Sequence, residues 1–147
     1  MAKIDIFTDG GCWGNPGPGA WAYVILKDNV MVANSSGFSA QTTNNIMELN
    51  AVINALQACS VMGFTTIKLN TDSQYVKNGI TKWIYFWKQK DWKTASKEPV
   101  KNRELWEQLD ELNSKMNVRW IWVKGHAGIK YNEMCDALVR EQIHKHL

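Results

Sequence analysis

Cysteine is scarce in this chain, and its pattern excludes two architectures. Three cysteines, Cys12, Cys59 and Cys135, are an odd number with no C-x-x-C pair, so neither a disulfide framework nor a structural zinc site is expected, and a reducing compartment fits. Cys59 and Cys135 fall on apolar helical faces and read as small buried thiols. No run approaches the ~18 apolar residues of a membrane span, and Asp5 and Asp9 stand where a signal peptide would need an apolar stretch. No repeat, low-complexity tract or linker divides the 147 residues, a length that fits one domain able to bury roughly two-thirds of its unfolded surface. One domain over residues 1–147 is expected, cytoplasmic, with no membrane partner and no obligatory protein partner, acting as a monomer.

The formal charge of +3 is modest but unevenly spread. From Lys82 to Arg103 seven basic residues face two acids, Asp91 and Glu98, so this segment carries +5 and the remainder −2. An acidic body with one basic patch is a footprint for a polyanion. A charge run is more often a solvated helix face, but Trp83, Tyr85, Phe86, Trp87 and Trp92 interleave with these cations. Stacking surfaces beside positive charge are what nucleic-acid channels use.

Alternation of strand and helix signals predicts an α/β domain. Strands are expected at about Lys3–Thr8, Ala20–Leu26 and Met31–Gly37, the last two joined by the turn at Asp28-Asn29. Short connections make these three antiparallel. Leu49, Val52, Ile53, Leu56 and Cys59 share one face of a helix over about Asn45–Cys59, which Gly63 follows. A strand at Thr66–Thr71 comes next, then a short helix capped by Ser73 and ending near Gly79, and a further helical stretch at about Thr81–Trp87. Pro99 precedes a helix built on Leu105, Trp106, Leu109 and Leu112. The last strand, Val118–Val123, has Val118, Trp120 and Trp122 on one face, and a final helix covers about Asn132–Ile143 with Cys135, Leu138 and Val139 inward. Helical crossovers require the strands at Lys3, Thr66 and Val118 to be parallel.

Ligands of open α/β sheets bind beyond the carboxyl ends of the strands, and Asp9 and Asp72 both stand at such ends. If their strands are neighbours, the two carboxylates face each other across ~5 Å. Glu48 and Asp136, each expected in the first turn of its helix, can reach the same place. Each acid has a plain structural explanation: a capping box between Asn45 and Glu48, a helix start at Asp72, a helix-dipole preference at Asp136, a turn at Asp9-Gly10-Gly11. None of these explains why all four gather at one sheet edge. So many carboxylates cannot stay charged together without cations or raised pKa values. An all-oxygen donor set favours magnesium or manganese over zinc.

Several blocks, in order, resemble those of bacterial-type ribonucleases HI: TDGGCWGNPGPG at Thr8–Gly19, TTNNIMEL at Thr42–Leu49, TDSQYVKNGI at Thr71–Ile80, WKTASKEPVKN at Trp92–Asn102, and WVKGHAG leading to NEMCDALV at Asn132–Val139. The resemblance runs from about Lys3 to Ile143. It implies a ribonuclease H-like α/β fold: a five-stranded mixed sheet of order 3-2-1-4-5, strand 2 antiparallel, with helices on both faces. It also implies a basic, Trp-rich protrusion at about 81–102 and endonucleolytic hydrolysis of the RNA strand of RNA–DNA hybrids, leaving 5′-phosphate and 3′-hydroxyl ends. Two Mg2+ ions per site are implied, with Mn2+ able to substitute. Asp9 would bridge both ions, Asp136 would help hold the ion that activates water, and Glu48 with Asp72 would hold the ion on the leaving-group side. His126 resembles the family's mobile histidine, which assists proton transfer or product release.

The same resemblance implies the substrate contacts. The backbone of Gly11 and Cys12, with Asn15, Asn44, Asn45 and Gln74, would line the RNA strand, whose 2′-hydroxyls mark it in the wide minor groove. Thr43 and Trp83 would meet DNA phosphate and sugar, supported by Lys88, Lys90 and Arg140. The chain departs from the familiar pattern at Gly10-Gly11, at Trp13, and at Ile129-Lys130-Tyr131, where relatives commonly carry a different loop after the histidine. A noncatalytic binding module would be expected to lack a carboxylate, and all four are present. A resolvase or integrase-like nuclease on the same superfold is disfavoured by the basic Trp-rich segment and the asparagines at the helix start.

Overall fold

The computed structural model describes residues 2–147, so Met1 of the expected domain lies outside it. One five-stranded sheet organises the molecule, in the order β3-β2-β1-β4-β5. Its strands are β1 (Ile4–Cys12), β2 (Gly17–Lys27), β3 (Val30–Thr42), β4 (Thr66–Thr71) and β5 (Asn117–Trp122). β2 runs antiparallel to β1 and β3, and β4 runs parallel to both β1 and β5, which is the expected topology. The helices are α1 (Asn44–Val61), α2 (Gln74–Asn78), α3 (Ile84–Gln89), α4 (Arg103–Lys115) and α5 (Lys130–Lys145).

Each face of the sheet carries its own core. On one side Ile4, Ile6, Ile25 and Leu69 meet Leu49, Val52, Leu56 and Cys59 of α1, with Trp106 and Leu109 of α4. On the other, Ala20, Ala22 and Val24 meet Cys135, Val139 and Ile143 of α5. The small alanines let α5 approach β2 closely. A fully buried Leu or Ile contributes roughly 1.5–3 kcal/mol, so these two layers fix where α1 and α5 present their polar residues. Burial pushes the Cys59 thiol up to about 12 and that of Cys135 higher still, consistent with inert packing groups.

Four details refine the sequence expectation. Asp9-Gly10-Gly11 is not a turn, because pairing of β1 with β2 continues to Cys12 opposite Gly19. α2 ends at Asn78, beside Gly79 as expected, but Gly79 stays right-handed at φ −61°, and a π-helical turn (Gly79–Trp83) joins α2 to α3. A Cβ at Gly79 would collide with the Trp106 ring, so this glycine makes room for an aromatic side chain. Trp122 lies at the exposed end of β5, where its Nε1–H donates to the Asp72 carbonyl at 3.1 Å. Finally, α5 begins at Lys130, two residues before the expected Asn132. No side chain caps it from Ile129, but Glu133 Oε1, in its first turn, reaches back to accept the Gly128 backbone N–H at 3.1 Å.

Candidate active site

Asp9 lies near the carboxyl end of β1, Asp72 just past the end of β4, and these strands are hydrogen-bonded neighbours. Glu48 comes from α1 and Asp136 from α5, both from the second turn rather than the first, because each helix starts earlier than its hydrophobic pattern begins. Thr43 is the N-cap of α1, its hydroxyl accepting the Ile46 N–H at 3.2 Å, so Glu48 is not part of a capping box with Asn45. Asp72 is likewise not the cap of α2; Ser73 is.

One carboxylate oxygen from each of Asp9, Glu48 and Asp72 lies within 4.8 Å of the others. Asp136 stands beside Asp9, and with His126 all four acids line one cavity of about 260 Å³. Burial, and then the charges of Asp72 and Asp136, push the Asp9 carboxyl up to about 8, against an opposing hydrogen bond from the Gly10 backbone. Glu48 is raised well above the carboxylate range by burial first, then by Asp9 and Asp72. Asp72 is raised by burial, with a hydrogen bond to Glu48 and the charge of His126 opposing. Glu48 Oε1 and Asp72 Oδ1 are sealed from solvent without a hydrogen-bond partner among the described residues. A buried, partnerless acceptor is costly. Hard cations satisfy such oxygens and reverse the electrostatic penalty at once.

The neighbours of these acids carry little sequence signal of their own. Gly10 lets α1 lie directly on β1, since a Cβ there would overlap the backbone of Met47 and Glu48. Gly125 sits against Asp72, whose Oδ2 would be 3.0 Å from an added Cβ. Asn132 is buried and lines the cavity, its Oδ1 unsatisfied among the described residues. Only its place four residues before Asp136, one helical turn on the same face, could have singled it out. His126 is exposed and held at φ 56°, a left-handed conformation that a non-glycine residue adopts at a cost of about 1–2 kcal/mol.

The expected RNA-side residues cluster around the hairpin loop and the start of α1. Asn15 Oδ1 accepts the Asn44 backbone N–H at 3.1 Å, tying the loop to the helix, and Asn44, Asn45 and Gln74 are exposed. The Cys12 thiol donates to the Gly17 and Thr42 carbonyls at 3.4 and 3.3 Å, and Gly11 packs against Val139. Trp83 is 40% exposed, as is Phe86, while Tyr85 is 58% exposed. Trp87 and Trp92, expected to join them as stacking surfaces, instead pack half-buried against the core. Lys88 is paired with Asp110 at 2.6 Å. Arg140, grouped with the DNA-side contacts, lies at the carboxylates: its Nε donates to Asp136 Oδ2 at 3.1 Å.

Fold and site together define an enzyme of the ribonuclease H-like α/β class, in which acidic side chains converge at the ends of adjacent parallel strands. The chain belongs to the RNase H family, whose model matches residues 1–144. It is 55% identical over 139 residues to a ribonuclease H of Mesorhizobium japonicum, covering 95% of this chain and 77% of that one. Among solved structures it is similar to LC9-RNase H1, a type 1 RNase H with the type 2 active-site motif, at 28% identity and a TM-score of 0.88, covering 100% of this chain and 74% of that one. It is also similar to LC11-RNase H1, solved in complex with an RNA/DNA hybrid, at 26% identity and a TM-score of 0.75, covering 98% and 99% of the two chains. No helix among the described residues is long and apolar enough to cross a membrane.

Proposed function

We propose that this chain, acting as a monomer, cuts the RNA strand of RNA–DNA hybrids internally, with Asp9, Glu48, Asp72 and Asp136 holding two divalent ions, Mg2+ foremost. The observation that carries the reading is the close gathering of buried carboxylate oxygens, two of them without partners among the described residues, in a cavity that also contains His126. Asp9, Glu48 and Asp72, whose oxygens lie within 4.8 Å of one another, would hold the ions together with Asp136 across the same cavity. When bound, such ions generate hydroxide near neutral pH and stabilise the entering and leaving oxygens of a phosphodiester displacement.

The chain's own residues do the remaining work. Asn15, Asn44, Asn45 and Gln74, with the Gly11 and Cys12 backbone, offer donors and acceptors for 2′-hydroxyls. Thr43, Trp83, Lys88 and Lys90 would grip the DNA strand, the segment 81–102 serving as the protrusion that binds hybrid. Arg140, set beside Asp136, would neutralise phosphate next to the cut linkage. A bond forms between water oxygen and phosphorus, and the P–O3′ bond breaks. The 3′-oxygen leaves as a hydroxyl and the 5′ side keeps the phosphate. His126, on a loop flanked by Gly125 and Gly128, would carry a proton to or from the reacting groups.

Incubation with end-labelled RNA–DNA, RNA–RNA and DNA–DNA duplexes, in Mg2+ or chelator, tests the reading. Internal cuts in the RNA of the hybrid alone, lost with chelator, are expected. Cleavage that survives chelation, or none in any duplex, defeats it.

A further inference from the structure

Trp13 is an exposed aromatic side chain that the proposed reaction leaves without a task. It sits in the loop between β1 and β2, 51% exposed, and its ring meets His144 of α5 edge-on, with centroids 6.2 Å apart and planes at 80°. Beside this pair runs a groove of about 690 Å³, walled by Ala137, Arg140, Glu141 and Lys145. Trp13 and Arg140 also line the carboxylate cavity, so the groove opens off it. Its floor is apolar, and its rim carries Lys145 and Arg140 against the acid Glu141, with Arg140 already paired to Asp136 at 3.1 Å.

We propose that this groove is a further substrate subsite, seating the sugar–phosphate backbone of the cut strand one or more nucleotides away from the hydrolysed linkage. The proposal rests on the hybrid-nuclease reading. Trp13 packs on the ribose and Lys145 flanks its phosphate, while Arg140, at the junction with the carboxylate cavity, stays on the phosphate next to the cut linkage. Continuity carries the argument first: a strand leaving the carboxylate cavity on its Arg140 side runs over Trp13. Charge carries it second, because a cationic rim over an apolar floor matches a polyanion whose repeating unit alternates phosphate with sugar. Bases within a duplex remain stacked on one another, so an exposed ring beside a hybrid meets sugars in the wide minor groove.

The platform is also set in advance. The Trp13 backbone N–H donates to the Pro18 carbonyl at 2.8 Å, the Asn15 side chain is tied to Asn44, and His144 steadies the ring, so little freedom is left to lose on binding. The same loop thus joins two sets of substrate contacts, the asparagines on one side and the Trp13 groove on the other.

The test uses a strand with a short ribonucleotide block inside DNA, annealed to complementary DNA, so that one linkage is cut. Trp13→Ala is expected to raise KM about fivefold, the scale of one lost aromatic contact to a nucleotide, with kcat within about twofold and an unchanged melting temperature; Trp13→Phe restores most of the loss. Shortening the duplex to end close to the cut on one side erases the difference between Trp13→Ala and wild type, whereas shortening it on the other side preserves it. Lys145→Gln reduces the slope of log KM against log salt by about one, and Glu141→Gln lowers KM. A Trp13→Ala effect on kcat instead of KM, an equal effect on all three duplexes, or no effect overturns the subsite while leaving the hybrid-nuclease reading intact. Failure of the wild-type chain to cleave any hybrid overturns both.

Discussion

Gly10 of β1 lies directly against Glu48 of α1, with no room between their backbones for a methyl group. This contact sets how far Glu48 reaches toward Asp9 and Asp72, and it makes the site depend on a residue with no chemistry of its own. Gly10→Ala is expected to force α1 off the sheet at a cost of about 1–3 kcal/mol, lowering the melting temperature by roughly 2–8 °C. Mg2+ affinity, followed by calorimetric titration, should fall as well. Wild-type melting and metal binding in this variant would show that the close approach does not govern the site.

Asp9→Asn keeps the shape of the central carboxylate and removes its charge. Cleavage in Mg2+ is expected to fall by about three orders of magnitude or more, on the order of 4 kcal/mol of barrier, while hybrid binding stays within about threefold. The same substitution should raise the melting temperature in chelator at pH 8, because it relieves the repulsion from Asp72 and Asp136 that helps raise the Asp9 carboxyl. Unchanged turnover would remove Asp9 from the reaction.

The raised carboxyls also fix the direction of a pH effect. Asp9 stands at about 8 in the folded, metal-free protein against an ordinary 3.8, and Glu48 and Asp72 move the same way. Between about 4 and 8 the folded chain therefore holds a proton at Asp9 that the unfolded chain has lost. The contribution of Asp9 to stability is present at low pH and is gone once pH has climbed through about 8, and the raised carboxyls of Glu48 and Asp72 act in the same direction. Metal competes with those protons. The gain in melting temperature on adding Mg2+ should thus grow steadily from pH 5 to pH 8; a gain independent of pH would mean that the metal does not bind at the protonated cluster.

Strand directions and helix faces were legible in the sequence because they follow from hydrophobic period and connection length: Leu49, Val52, Ile53, Leu56 and Cys59 are all buried as their spacing requires. The strand order came only with the resemblance to ribonucleases HI. The convergence of Asp9 and Asp72 hung on their strands being neighbours, which the parallel crossovers left open and the pairing of β1 with β4 settles. Helix starts were less legible, because the cap of α5 is supplied backwards by Glu133, a bond that no N-cap residue announces. Three-dimensional partners were beyond reach. Trp87 and Trp92 look identical to Trp83 in a charge-rich string, yet Trp87 lies 5.3 Å from the buried ring of Trp106 and 6.2 Å from Trp92, which consumes both in packing. Gly79 and Gly10 read as breaks in the chain, whereas each makes room for a neighbour.

Lys88 and Lys90 show the same gap between sequence and structure, and they can be told apart by experiment. Both were expected to hold the DNA strand alike. Lys88, however, is bound to Asp110 at 2.6 Å, their side chains 45% and 25% exposed, whereas the Lys90 ammonium lies 6.0 Å from the Phe86 ring centre. A cation already beside a carboxylate releases less counterion on meeting phosphate than one resting over an aromatic face. Lys90→Gln is accordingly expected to raise KM about threefold to fivefold and to lower the salt slope by about one. Lys88→Gln should do less on both counts, and Asp110→Asn, by releasing Lys88, should lower KM in low salt. Equal effects of the two lysine substitutions would mean that the pair with Asp110 opens when hybrid binds, and a fall in kcat without a change in KM would take both lysines out of substrate binding.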